Sequence, residues 1–252
     1  MLRTTEEYHK MAAVEQRLWW YKSLHELVAH SISNFYSRKN PEVVDAGCGT
    51  GGCSLFLKEN GIADLSGFDI SEEAVEICHK NGLTYSKGDL KLINQYYQKD
   101  SKDIVICNDV LYFFDNKECT EILNKIHQVL RPGGLAILNL PALKAFSGSH
   151  DISVGNPGNR YSMRVLDQII DPAIFSIRQT LFWPFLLSPL IFLIRLKQRI
   201  WLRVFKDYKF DSDIDLPHPL INKILLAIVR FENRWLPFKP WGSSLFVVLE
   251  AK

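Results

Sequence analysis

The chain lacks any stretch suited to spanning a bilayer. Its uncharged apolar segment QTLFWPFLLSPLIFLI (179–194) falls short of the roughly 20 residues needed, and Pro184 and Pro189 interrupt it. It also lacks a CxxC pair. Five cysteines, at 48, 53, 78, 107 and 119, fit neither a disulfide framework nor a zinc knuckle and suit a reducing compartment. The seven histidines, at 9, 25, 30, 79, 127, 150 and 218, form no ligand cluster, so no metal is expected. Thirty Lys+Arg against 28 Asp+Glu leave a formal charge of +2, too small a surplus to make nucleic acid the expected partner. The amino-terminal MLRTTEEYHKMAAVEQ has no apolar signal region, and a cytoplasmic location is expected. There is no low-complexity run and no solenoid-period repeat.

What remains is an ordinary globular composition, 47% hydrophobic and 23% charged. From residue 42 strands and helices alternate. EVVDA (42–46) is an apolar, β-branched strand running into a glycine cluster, and SLFLKENG (54–61) is a helix stopped by Gly61. LSGFDI (65–70) is a second strand, followed by a helix that Ser71 caps and Asn81-Gly82 ends. Residues 84–86, 103–108 and 135–140 read as the third to fifth strands, with a helix over 117–130 before Arg131-Pro132-Gly133-Gly134. FSIRQTLF (175–182) and SLFVVLEA (244–251) complete seven. Apolar strands with helical crossovers imply an α/β fold, a Rossmann-like, doubly wound and mostly parallel seven-stranded sheet.

Three regions are expected: an amino-terminal helical cap (1–40), the core (41–182 and 243–252), and a helical, apolar and basic insertion (183–242) between the last two strands. The insertion holds 179–194 as an apolar helix with a basic flank at Arg195, Lys197, Arg199, Arg203 and Lys206, and a second helix from Pro219 to Trp235 expected to pack on the first. Such a segment suits peripheral attachment at the inner membrane face through 179–206, with Trp183, Phe185, Leu186 and Leu187 in the interface. A substrate cap or a homodimer contact is the competing expectation.

The strongest local signal is Asp45-Ala46-Gly47-Cys48-Gly49-Thr50-Gly51-Gly52 at the first strand-to-helix junction. Glycines there let a ligand lie against bare backbone. The spacing alone fits both a dinucleotide fingerprint and a nucleoside-cofactor turn. Asp69, about twenty residues on, is placed to accept from ribose hydroxyls under either reading. Asp45 ahead of the first glycine, Gly88-Asp89-Leu90 after the third strand and Leu130-Arg131-Pro132-Gly133-Gly134 before the fifth favour the second.

Over residues 42–142 the sequence resembles the class I S-adenosylmethionine-dependent methyltransferases, through VVDAGCGTGG, GFDISEEAVEIC, GDL, DIVICNDVLYFF and LRPGGLAILNLPA. The resemblance implies S-adenosylmethionine as cofactor and S-adenosylhomocysteine as product. It places Asp45, Gly47, Cys48, Gly49 and Gly51 at the methionine end, Asp69 at the ribose and Ile70 at the adenine face. Asp89 and Leu90 would hold the adenine edge, and Asn108 would approach the methionine moiety. EQRLWWYKSLHELV is similar to a subgroup with an amino-terminal Trp-Trp-aromatic helix, often associated with glycan or lipid-linked biosynthesis; Trp19, Trp20 and Tyr21 would there close over the cofactor, the alternative being that they anchor an amino-terminal helix on the core. The loop PALKAFSGSHDISVGNPGNRYSM resembles that subgroup's substrate loop, with His150-Asp151 and Arg160-Tyr161 matching.

Displacement at a sulfonium needs alignment more than a strong base. For a hydroxyl acceptor, His150 oriented by Asp151 is the expected base, with Tyr112 as a second candidate. The activity expected is O-methyl transfer to a small-molecule, glycan or lipid-linked acceptor. A non-catalytic cofactor-binding subunit docked on a membrane enzyme is the alternative, and an NAD-dependent oxidoreductase the third reading.

Overall fold

The computed structural model describes residues 5–148, 151, 158–204 and 215–252. Seven strands, β1 (Val43–Ala46), β2 (Leu65–Asp69), β3 (Ser86–Lys87), β4 (Lys102–Asn108), β5 (Leu130–Pro141), β6 (Phe175–Trp183) and β7 (Ser244–Ala251), form one sheet in the order β3-β2-β1-β4-β5-β7-β6. All pairings are parallel except those of β7, which runs antiparallel between β5 and β6.

The helices are α1 (Thr5–Val14), α2 (Trp19–Phe35), α3 (Gly52–Glu59), α4 (Glu72–Lys80), α5 (Ile93–Tyr96), α6 (Asn116–Val129), α7 (Met163–Ile169), α8 (Ser188–Val204) and α9 (Pro219–Trp235). Successive strand side chains point to opposite faces, which is why the central strands are apolar throughout. Val44, Val105 and Leu138 meet Ile122 and Ile126 of α6 on one face. Val43, Ile104 and Ile137 meet Val28 of α2 and Leu57 of α3 on the other. Local signals place the helix starts. Ser71 Oγ accepts from the Ala74 amide, and Asp115 with Glu118 forms a reciprocal capping box on α6, at 2.8 and 3.0 Å.

Four expectations need correction. The third strand is Ser86–Lys87 rather than 84–86. β5 begins at Leu130, so Arg131-Pro132-Gly133-Gly134 lies within a strand and not ahead of it. There Arg131 bonds Glu42 and Asp103, each at 2.8 Å, and ties the start of β5 to the segments entering β1 and β4. Of 179–194, the first five residues finish β6, and α8 starts only at Ser188. A short apolar run fits a strand as well as a helix, so the run alone could not separate them. Finally, α9 packs chiefly on α2. Asn222 of α9 accepts from the Trp19 amide at 2.9 Å and donates to the Arg17 carbonyl at 2.8 Å, and Arg230 pairs with Glu26.

Buried polar groups tie the two arms of the insertion to each other. Glu232 of α9 accepts from the Phe185 and Leu186 amides at 2.8 and 2.7 Å, with the Lys239 ammonium 3.8 Å from its carboxylate. Trp183 and Leu187, expected to face a membrane, are buried in the core with Phe246 and Val229. No helix among the described residues is long and apolar enough to cross a membrane.

Candidate active site

At the carboxyl ends of β1, β2 and β4, next to the point where strand order reverses, lies a cavity of about 820 Å³. Its floor is the glycine turn after β1. Gly47 (φ +81°) and Gly49 (φ +53°) have left-handed backbones, and the Gly47 and Cys48 amides donate to the Phe68 carbonyl, folding the turn onto β2. A side chain at Gly47 would meet Val110 at 2.4 Å, whereas Gly49 faces only the flexible end of Met11.

Asp69 ties this turn to the next helix, accepting from the Gly49 amide at 3.0 Å and the Ser71 amide at 2.8 Å. Burial raises its pKa against the pull of those amides. A carboxylate offers about four acceptor positions, so capacity remains for ribose hydroxyls. Asp45 is buried beneath the turn, accepts from the Ser54 hydroxyl at 2.7 Å, and has its pKa pushed up to about 6 by burial. Cys48 also lines the cavity, its Sγ 3.9 Å from that of Cys78. Along the wall follow Ile70, half exposed, then Asp89 and Leu90. Asp89 accepts from the Lys91 amide at 2.9 Å. Asn108 ends β4 at the cavity, and its buried Oδ1 has no partner among the described residues.

Gly51 departs from this set. It lies outside the cavity lining and serves as the left-handed cap of α3 (φ +83°), packed toward Leu83 and Cys78. Of the expected proton-transfer residues, His150 lies outside the described residues. Tyr112 lines the cavity, with its hydroxyl pKa raised by burial. Asp151 also lines it, but its carboxylate is engaged by the Arg160 guanidinium at 2.7 Å and the Gly148 amide at 3.0 Å.

Three groups at the cavity were not anticipated. Glu15 follows α1, is buried, and bonds the Thr50 hydroxyl of the turn; burial pushes it up to about 7. Asp109, beside Asn108, has a left-handed backbone (φ +54°) that Asp tolerates better than most residues. It accepts from Asn139 at 2.8 Å, and burial pushes it up to about 7. His25 of α2 is buried with Nδ1 unpartnered, and burial lowers its pKa to about 3, which keeps it neutral. Glu15 and His25 carry no local signal, since the tertiary fold alone brings them to the cavity. Asp109 had one in the Asn-Asp pair closing a strand. The far end of the cavity is apolar, lined by Trp19, Trp20, Leu187, Leu190, Ile194 and Leu225.

The residues suit a cationic adenosyl ligand. Asp45, Glu15 and Asp109 gather raised carboxyls around one space, and the orphaned Asn108 oxygen is an acceptor awaiting a donor. Strand order, glycine turn and cavity together define a class I methyltransferase fold. Residues 43–134 match the family described as "Methyltransferase domain", and in fold the chain is similar to S-adenosylmethionine-dependent methyltransferases. A carboxy-S-adenosyl-L-methionine synthase of Shewanella piezotolerans is 28% identical over 115 residues, 43% of this chain and 47% of that protein. The chain thus aligns with about half the length of that relative. A methyltransferase structure from Mesorhizobium loti superposes with a TM-score of 0.56 at 14% identity, covering 94% of this chain and 99% of that one. One from Archaeoglobus fulgidus gives 0.51 at 17%, covering 90% and 94%.

Proposed function

We propose that the chain transfers a methyl group from S-adenosylmethionine to a hydroxyl oxygen of an amphiphilic acceptor, a small molecule, glycan intermediate or lipid-linked compound. The observation that carries this reading is one continuous cavity, acidic and glycine-floored at one end and apolar between α2, α8 and α9 at the other. Bound at the glycine end, S-adenosylmethionine supplies an electrophilic methyl on a sulfonium. Asp69 and Asp89 hold the nucleoside, and Asn108 Oδ1 accepts from the amino-acid end. Trp19, Trp20 and Tyr21 of α2 wall the cavity and keep water from the reacting centre.

The acceptor proton has a receiver in the described part of the site. Asp109 combines a fixed carboxyl with a pKa near neutrality, which suits a general base at ordinary pH. His150, matched only by resemblance, remains the proposed base on the substrate loop. Arg160, held by Asp151 and the Ala142 carbonyl at 2.8 Å, offers positive charge to an anionic acceptor group. Peripheral association at the inner membrane face belongs to the same reading.

The test uses S-adenosylmethionine labelled in its methyl group and lipid extracts fractionated by polarity. Label entering an amphiphilic fraction, stable to mild base as an ether is, supports the reading; label confined to water-soluble or base-labile products contradicts it.

A further inference from the structure

The exposed side of α8 has an organisation that the interior of the protein does not explain. Leu190, Leu193, Lys197, Ile200 and Val204 follow one another at spacings of three and four, a single helical stripe, and Ile194 and Trp201 flank it. These side chains face solvent: Leu193 is 60% and Val204 64% exposed. The polar member of the stripe is Lys197, whose ammonium lies 5.7 Å over the Trp201 ring. Helix α8 contains no acidic residue; Arg195, which lines the cavity, and Arg199, which lies over the Phe192 ring, stand on the opposite side of the helix from Lys197. Leu190 and Ile194, at the inner end of the stripe, also line the cavity. The apolar stripe and the cavity rim are therefore one continuous surface.

We propose that this face of α8 docks on an anionic phospholipid surface and sets the rim of the cavity at headgroup level. An apolar stripe that carries an exposed lysine matches a headgroup boundary, where aliphatic groups enter the acyl region and Lys reaches back to phosphate. Trp201 is of the type enriched at that depth. A second copy of the chain is a poorer occupant, because two such faces would oppose like charges across an apolar contact. A basic residue near an anionic surface favours binding about fivefold, so Lys197 favours an anionic surface over a neutral one by about that factor. The proposal deepens the amphiphilic-acceptor reading but does not require methyl transfer.

The experiment is flotation of the full chain with vesicles of phosphatidylcholine containing phosphatidylglycerol, against phosphatidylcholine alone. The wild type should float with the mixed vesicles and far less with the neutral ones. The double variant Leu193→Glu, Val204→Glu, both positions outside the cavity lining, should stay behind while binding S-adenosylhomocysteine as the wild type does. Vesicles with brominated acyl chains should quench fluorescence that Trp201→Phe removes. A wild type that stays behind with both vesicles overturns the proposal, as does equal flotation with both. A vesicle-free dimer dissolved by the same double variant overturns it too, by assigning the face to a second copy. Loss of adenosyl binding by the wild type would sink the methyl-transfer reading and leave the flotation result standing.

Discussion

The Trp20 indole stacks on that of Trp183, ring centroids 5.3 Å apart and planes 23° from parallel. Trp183 in turn donates its Nε1 hydrogen to Asn139 at 3.0 Å, and Asn139 donates to Asp109 at 2.8 Å. A chain of contacts thus runs from α2 through the end of β6 and the carboxyl end of β5 to a carboxyl at the cavity.

Trp183→Phe keeps the ring stack but removes the donor to Asn139. A buried acceptor left unsatisfied costs about 1–3 kcal/mol, and urea unfolding should show a loss of that order. Asn139 would also be freer to turn, so the variant should alter the pH dependence of methyl transfer as well as stability.

The raised carboxyls make a prediction of unusual sign. Glu15 and Asp109 titrate at about 7 and Asp45 at about 6 in the folded chain, above their ordinary values of 4.5, 3.8 and 3.8. Between those values the folded chain holds more protons than the unfolded one, so stability falls as pH rises from about 4 to 7. Asp103 works in the opposite sense: burial would raise it, but Tyr36, the Glu42 amide and Arg131 outweigh burial and hold it below the usual range. Its contribution is lost only at lower pH. His25, lowered by burial from 6.5 to about 3, also opposes the trend, adding stability as pH rises over that range, but one group does not outweigh three. The ligand-free protein should therefore be most stable near pH 4 and weaker at neutrality, and Glu15→Gln should flatten the decline. Urea midpoints across pH, for both proteins, measure this.

Much of the fold was legible because its signals are local. The β-branched strands, the glycine turn, the Ser71 cap and the Asp115 box each declare themselves within a few residues. The same holds for Asp45, Asp69 and Asn108, which sit at strand ends beside recognisable turns. Glu15 was not legible, because its approach to Thr50 spans 35 residues and depends on how α1 lies across the sheet. The packing of α9 on α2 rests on Asn222 and Arg230, which in sequence look like ordinary surface polar residues. Trp183 read as a membrane-facing aromatic because apolarity does not say which apolar phase buries it.

Arg131 gives a control distant from the cavity. Arg131→Ala should destabilise the chain by about 1–3 kcal/mol, since Asp103 is buried and loses a charged partner. Adenosyl binding should be unchanged, because none of Arg131, Glu42 and Asp103 lines the cavity. Urea unfolding and calorimetry on the same sample separate the two effects.

Gly47→Ala should do the reverse, disturbing the site more than the fold. Its left-handed backbone and the 2.4 Å approach to Val110 force the turn to move. A backbone penalty of about 1–2 kcal/mol is expected, together with at least tenfold weaker adenosyl binding. Thermal melts with and without S-adenosylhomocysteine read both.

The adenosyl site itself is tested most directly by calorimetric titration of the native chain with S-adenosylmethionine, S-adenosylhomocysteine and NAD, repeated on Asp69→Ala and Asn108→Leu. One site for the two adenosyl ligands, no uptake of NAD, and marked weakening in both variants are the predicted result. Failure to bind either adenosyl ligand, or binding that neither substitution weakens, would contradict the account.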